Sequence, residues 1–255
     1  MLSQSLKGSI LTTIENRIAT IEFGHPASNS FSSDLLHVLV LELNSLSINP
    51  NVSVIVLKSS GTGVFCSGAS FDELSHVSNL EEATQFFSGF ANVLNAMRSC
   101  SKITIGRIQG KAVGGGVGII AACDYAYATT ESHIKLPELA LGIGPFVIEP
   151  AITRKMGKSA MTELALDAKN WKSSAWAEKK ELYSNRFETI DALDTVVFTK
   201  ATELASFSLE ALSEIKKTLW EGTENWNTLL YERAAISGKL VLSDFTKNAL
   251  RQLKK

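Results

Sequence analysis

The chain has 255 residues, of which 45% are hydrophobic, and its 25 lysine and arginine residues nearly balance its 26 aspartate and glutamate residues. That length buries a full core without covalent staples, and a surface with no excess of base excludes the electrostatic footprint of a nucleic-acid or anionic-membrane binder. Three cysteines, Cys66, Cys100 and Cys123, at unrelated spacings exclude a disulfide framework and a zinc site and fit a reducing interior.

Taken from the start, Met1 to Lys7 lacks the apolar stretch of a secretory signal, and no later apolar run reaches the roughly 18 residues that cross a bilayer, so a soluble cytoplasmic protein is expected. Short β-like runs follow at Ile10 to Glu15 and Ile18 to Phe23, then a helix from Asp34 to Leu46 with Ser32 and Ser33 as cap chemistry, then a strand from Val54 to Lys58. A helix over Glu81 to Met97 leads to a strand at Ile103 to Ile108. The glycine run Gly114-Gly115-Gly116-Val117-Gly118 opens a helix through Ala122, and Tyr125 to Ala128 and His133 to Leu136 read as further strands. Beyond Ala151 the pattern is helical, at Ile152 to Met156, Ser159 to Asp167, Ala175 to Glu181, Ala192 to Ser206, Leu209 to Trp220 and Trp226 to Leu242. Alternating strands and helices predict an α/β fold with helices outside a sheet. The last helices carry an apolar face of Trp226, Leu229, Leu230, Ala234 and Leu240 that needs its own core or another subunit to cover it.

Two distant segments carry the chemistry. Phe65-Cys66-Ser67-Gly68-Ala69 and the glycine run each follow an apolar strand-like run and put small residues where main-chain N–H groups can be approached closely. Two such donors aimed at one point stabilise an oxygen that becomes negative during a reaction. Glu138 lies among Leu136, Leu139 and Leu141, a setting that raises a carboxyl's proton affinity when it is buried.

With Pro137-Glu138-Leu139-Ala140-Leu141-Gly142, these segments make the chain resemble the crotonase superfamily, the enoyl-CoA hydratase/isomerase family, over roughly residues 15 to 220. The family's corresponding motifs read like F-C-A-G-A-D, A-L-G-G-G-x-E and P-E-x-x-L-G. His25-Pro26-Ala27-Ser28-Asn29-Ser30-Phe31 resembles its P-x-x-N-A-L/F turn, and Ala122-Cys123-Asp124-Tyr125 its A-x-C-D stretch. The resemblance implies a crotonase-like ββα spiral core over residues 1–200 and a C-terminal helical oligomerisation region over residues 201–255. It further implies an acyl-CoA thioester as substrate rather than a separate cofactor, and a homotrimer or dimer of trimers. By the same resemblance, the N–H groups of Ala69 and Gly115 form an oxyanion hole and Glu138 transfers the proton. Main-chain groups about Ser67, Gly68, Ala69 and Phe71 hold the CoA moiety. No spacing selects a phosphate contact among Lys102, Arg107, Lys254 and Lys255.

The chain departs from the family in two places. Gly118 stands where many hydratases carry a first glutamate, and Phe146, Val147, Ile148 and Glu149 replace a glycine-rich stretch after Pro145. With one acid where hydration uses two, the inventory of groups favours isomerisation, unless Glu149, Asp72 or Glu73 supplies the second carboxyl. The four histidines share no metal-ligand spacing. Other readings are an acyl-CoA binder without turnover, a thioesterase, a decarboxylase, and a dinucleotide fold, because Gly116 to Ala121 fits G-x-G-x-x-A.

Overall fold

The computed structural model describes residues 8–253, so the readings on Met1 to Lys7, Lys254 and Lys255 lie outside the described residues. A six-stranded sheet runs in the order β1 (Ser9–Glu15), β2 (Ile18–Gly24), β3 (Val54–Ser59), β4 (Ile103–Ile108), β6 (Tyr125–Thr129) and β8 (Asn185–Phe187). Only the β1/β2 hairpin is antiparallel. Helices covering both faces explain why β3 opens on the unbroken apolar run Val54 to Leu57 and why all six residues of β4 are buried. Ile55 and Leu57 of β3 enter the main core with α1 (Ser33–Ile48), α3 (Leu80–Ser99) and α4 (Gly115–Ala122). Val54 and Val56 point the other way, onto Leu193, Val197 and Ala201 of α7 (Ile190–Ala205).

Local chemistry sets the helix starts as read from the sequence. The Ser32 hydroxyl accepts from the N–H of Leu35 to begin α1, and the Asn79 side chain accepts from the N–H of Glu82 to begin α3. The span named α5 (Glu149–Leu166) is two helical pieces joined at Gly157, whose φ of 80° and ψ of 160° are not helical, in keeping with the two helical runs read from the sequence. The chain then passes through α6 (Ser174–Lys179) and α8 (Leu209–Leu219) to α9 (Trp226–Val241). Trp226, Leu230 and Ala234 of α9 join the main core, and Trp220 and Trp226 meet edge to face at 5.8 Å.

Elements that go beyond the sequence expectation include α2 (Phe71–His76), β8 and α10 (Asp244–Leu253). A six-residue helix and a three-residue edge strand are too short to show a period. With β8 returning to the sheet after α6, the helical half of the chain is not purely helical.

A side layer positions the site. It holds the two-residue strands β5 (Ala112–Val113) and β7 (Ile134–Lys135), paired in parallel, and single bridges Phe31 to Ala69, Cys66 to Ala112 and Ile134 to Lys172. The glycine run leaves this short layer rather than the main sheet, unlike the dinucleotide fingerprint, whose first glycine follows a strand of the principal sheet.

Candidate active site

The side layer brings the two small-residue segments together. Val113 N–H donates to Cys66 O at 2.9 Å, Phe31 N–H to Gly68 O at 2.8 Å, and Ser70 N–H to Phe31 O at 2.8 Å. Those bonds occupy the amides on either side of Ala69 and leave its own N–H facing away from Phe31. Among the described residues, neither Ala69 N–H nor Gly115 N–H has an acceptor. Gly115 is the first residue of α4, so its amide is one of the helix's unpaired donors and lies at the positive end of the dipole.

Only glycine fits two of these positions. Gly68 has φ +91°, and a Cβ on it would lie 3.0 Å from Val113 O and 3.7 Å from Gly115 N, which measures how closely the two segments approach. Gly114 has φ +53°, and a Cβ there would stand 2.8 Å from Glu138 Oε1. The second segment therefore touches the acid directly. Cys66 is a packing residue: its sulfur accepts Gly68 N–H at 3.3 Å, and burial pushes its thiol up to about 12. A thiol with that proton affinity is no nucleophile at neutral pH.

Glu138 opens a one-turn 3₁₀ helix, Glu138–Leu141. The residue is half-buried, but its Oε2 is out of solvent and has no hydrogen-bond partner. Removal from water pushes the carboxyl up to about 7, against a smaller lowering by its own backbone N–H. An unpaired buried carboxyl beside two free amides is costly to maintain. It is also the state a general acid/base needs.

A cavity of about 510 Å³ joins these groups. Ser67, Gly68, Ala69 and Phe71 line it, with Gly114, Gly115 and Glu138. Its apolar wall includes Phe86, Phe87, Phe90, Leu141, Phe146 and Ile148. Every residue proposed from the sequence for the oxyanion hole, the acid and the CoA moiety thus borders one space. A larger groove of about 610 Å³ between α1, α2 and α3 holds none of them.

The comparisons with known proteins agree with this arrangement. A family model described as enoyl-CoA hydratase/isomerase matches residues 13–245. The chain belongs to that family. Among relatives of the enoyl-CoA hydratase/isomerase chain, a peroxisomal Δ(3,5)-Δ(2,4)-dienoyl-CoA isomerase of Arabidopsis thaliana is 30% identical over 211 residues, 77% of this chain and 74% of its own. An enoyl-CoA hydratase of Alternaria alternata is 29% identical over 216 residues, 85% of this chain and 69% of its own. In fold, the crystal structure of an enoyl-CoA hydratase from Bacillus halodurans superposes with a TM-score of 0.87 at 19% identity, covering 95% of this chain and 99% of that one. The fold is the crotonase fold, and the protein is an enzyme of the hydratase/isomerase family.

Within the family frame, the other acids fall away from the cavity. Glu149 begins α5, accepts from Thr153 Oγ1 at 2.7 Å and lies 3.9 Å from the Arg233 guanidinium. It does not line the cavity, so it is not placed as a second acid. Glu73 accepts from the Ser33 N–H and hydroxyl at the start of α1, and Asp72 is solvent-exposed beside His76. Lys102 is buried, and Arg107 is buried and paired with Asp194 at 2.6 Å, so neither borders the cavity. The basic groups at its border are Lys135 and Lys169, which sequence spacing did not single out. Lys135 sits 5.8 Å from the centre of the Trp171 ring, with Lys111 at 5.2 Å. Short strand pairing between residues 134 and 172 makes that patch, and no local motif announces it.

Proposed function

We propose that the enzyme binds an unsaturated acyl-CoA thioester with its carbonyl oxygen between Ala69 N–H and Gly115 N–H, and that Glu138 transfers the proton. One observation carries the reading: an unpartnered carboxyl oxygen, buried in a cavity, next to two main-chain donors that nothing else uses. A thioester enolate places its charge on the oxygen, where fixed donors are worth most. A carboxyl held near pH 7 exchanges a proton with carbon more readily than an ordinary glutamate does.

The CoA moiety follows the main chain of Ser67, Gly68, Ala69 and Phe71. Lys135 and Lys169 at the cavity border offer positive charge to its phosphates. The acyl group faces Phe86, Phe90, Phe146 and Ile148, an aromatic and aliphatic wall suited to a hydrocarbon chain. Self-association into a trimer or dimer of trimers is consistent with α8, which buries Leu212 and Lys216 and exposes Ile215 and Leu219. Light scattering of the purified enzyme measures that mass directly.

Glu138→Gln keeps the side chain's shape and removes its acid chemistry. Turnover of enoyl-CoA esters should fall by about 10²- to 10⁴-fold while calorimetry still detects thioester binding. Undiminished turnover rejects the role of Glu138. The competing reading, a binder without catalysis, requires that the unsubstituted protein bind these esters and convert none of them.

A further inference from the structure

Two spaces lie back to back along α3, and Phe86 belongs to both. It lines the catalytic cavity of about 510 Å³ and also the groove of about 610 Å³ between α1, α2 and α3. The short helix α2 completes the partition, because Phe71 and Leu74 line the cavity while Glu73 and His76 line the groove. That helix is fixed from each side. Glu73 accepts from the Ser33 N–H at 3.0 Å and the Ser33 hydroxyl at 2.6 Å at the start of α1. Phe71 and Leu74 pack on a small core that holds Ile143, just past the turn that carries Glu138, and Leu250 of α10. Phe86 is 7% exposed and meets Phe87 edge to face at 5.2 Å.

α3 also sets how far the partition stands from the reacting carbonyl. The Phe90 ring occupies the point where a Cβ on Gly115 would stand, so it sits against the proposed oxyanion donor. Phe86 lies four residues earlier on the same face of the helix, about 6 Å along its axis, the reach of about five carbons of an extended acyl chain. A buried ring held by a second ring gives way to extra methylenes only by costly repacking. Behind it, the groove offers Leu36, Val40 and Val77 as apolar lining.

Resting on the placement of the thioester carbonyl given above, we infer that Phe86 fixes the length of the acyl chain. The enzyme takes short acyl-CoA esters, of about four to six carbons, and the groove behind Phe86 is a binding space for longer tails that the ring keeps shut. Phe86 meets the far end of the substrate and not the reacting atoms, so it acts on affinity rather than on proton transfer.

Calorimetry with the saturated esters butanoyl-CoA, hexanoyl-CoA and dodecanoyl-CoA reads binding apart from turnover. For the unsubstituted enzyme, Kd should fall about 10-fold from butanoyl-CoA to hexanoyl-CoA as two more methylenes are buried, and dodecanoyl-CoA should bind no tighter than hexanoyl-CoA. Phe86→Ala should bind dodecanoyl-CoA at least ~10-fold tighter than the unsubstituted enzyme does. Adding Val40→Asn, which puts an amide into the groove, should take most of that gain back. Affinity that keeps rising through dodecanoyl-CoA in the unsubstituted enzyme overturns the inference and leaves the thioester site standing. Failure of all three esters to bind overturns that site and this inference together. A folded Phe86→Ala enzyme, verified by circular dichroism, that gains nothing for dodecanoyl-CoA overturns the role of Phe86. A gain that Val40→Asn leaves intact overturns the assignment of the groove. The affinity series of the unsubstituted enzyme decides the chain length even if no variant folds.

Discussion

Ile148 and Gly118 are fitted to one another: the isoleucine branch rests where any β-carbon on the glycine would stand, 2.4 Å from it. Both atoms of Ile148 nearest that point belong to the branched Cβ region, which swings away only if the backbone moves. Gly118→Ala is therefore expected to overpack the site and cost about 1–3 kcal/mol of stability. Ile148→Gly in the same chain, which removes both the Cγ2 and the Cβ that a β-carbon at 118 would meet, should return part of that loss. A double-mutant cycle by urea unfolding measures the coupling, and strictly additive single effects would show that the two positions do not share space.

Glu138 should govern stability as well as rate. Its folded carboxyl titrates near 7 against an ordinary 4.5 because burial penalises the ionised form. Below the ordinary value it is protonated in both folded and unfolded chains and costs nothing extra. As pH rises from there through 7, the unfolded chain ionises first and the folded chain loses stability relative to it. The span from 4.5 to about 7 corresponds to about 3 kcal/mol. Glu138→Gln should thus be more stable than the unsubstituted enzyme by about that amount at pH 8, with the difference vanishing near pH 4.5. Urea midpoints at the two pH values read it, and a constant difference would place the carboxyl in ordinary solvent.

The same titration sets the activity profile. Proton abstraction from carbon needs the carboxylate, so kcat/KM should climb with pH, pass half its maximum near 7 and level off above. Glu138→Gln should lose that ionisation from whatever activity remains. A half-maximum near 4.5 would mean that substrate or solvent reaches the carboxyl and restores its usual acidity.

Strong local signals explain how much of this architecture was legible beforehand. β4 was expected over its observed residues because Ile103 to Ile108 is a short run rich in β-branched residues, and Ser32 announced α1 through ordinary cap chemistry. Glu138 and the two small-residue segments stood out because glycine and buried acid are costly unless used. What the chain concealed depends on contacts between distant residues. Glu149 looked able to reach the cavity by its position after the Pro137–Gly142 motif, yet it bonds Thr153, lies near Arg233 and does not line the cavity. The fit of Ile148 onto Gly118 joins the turn before α5 to the middle of α4, and nothing in either neighbourhood signals it. α10 escaped notice although Ser243 Oγ accepts the Thr246 N–H at its start. It packs Phe245 against Gly142, directly behind the turn that carries Glu138.

Gly68 offers a test of the oxyanion hole without touching Glu138. Its φ of +91° is costly for any residue with a side chain, and a methyl there would meet Val113 O at 3.0 Å. Gly68→Ala should tilt the peptide that carries the Ala69 N–H and reduce kcat by about 10²- to 10³-fold, the usual cost of a lost oxyanion donor. Because the carboxyl is untouched, the pH midpoint of kcat/KM should stay near 7. Loss of rate together with a moved midpoint would trace the damage to Glu138 instead.

A buried ion pair holds the helix end opposite the donor. Lys216 Nζ lies 3.1 Å from Asp124 Oδ2, with side-chain exposures of 2% and 7%, and also donates to Lys102 O at 2.6 Å. Asp124 follows the C-terminal end of α4, whose first residue is Gly115, and it accepts further bonds from Trp220 Nε1 at 2.9 Å and Thr104 N–H at 2.8 Å. With both carboxylate oxygens engaged and buried, removing one partner strands a charge that water cannot reach. Asp124→Ala should therefore cost about 3–5 kcal/mol, the range for a broken buried pair. Replacing both partners together, Asp124→Leu with Lys216→Met, should cost less than Asp124→Ala alone, because no isolated charge is left behind. Urea unfolding of the three proteins compares them, and a double variant at least as unstable as Asp124→Ala would show that the bonds to Trp220 and Thr104, rather than the pairing of charges, carry the stabilisation.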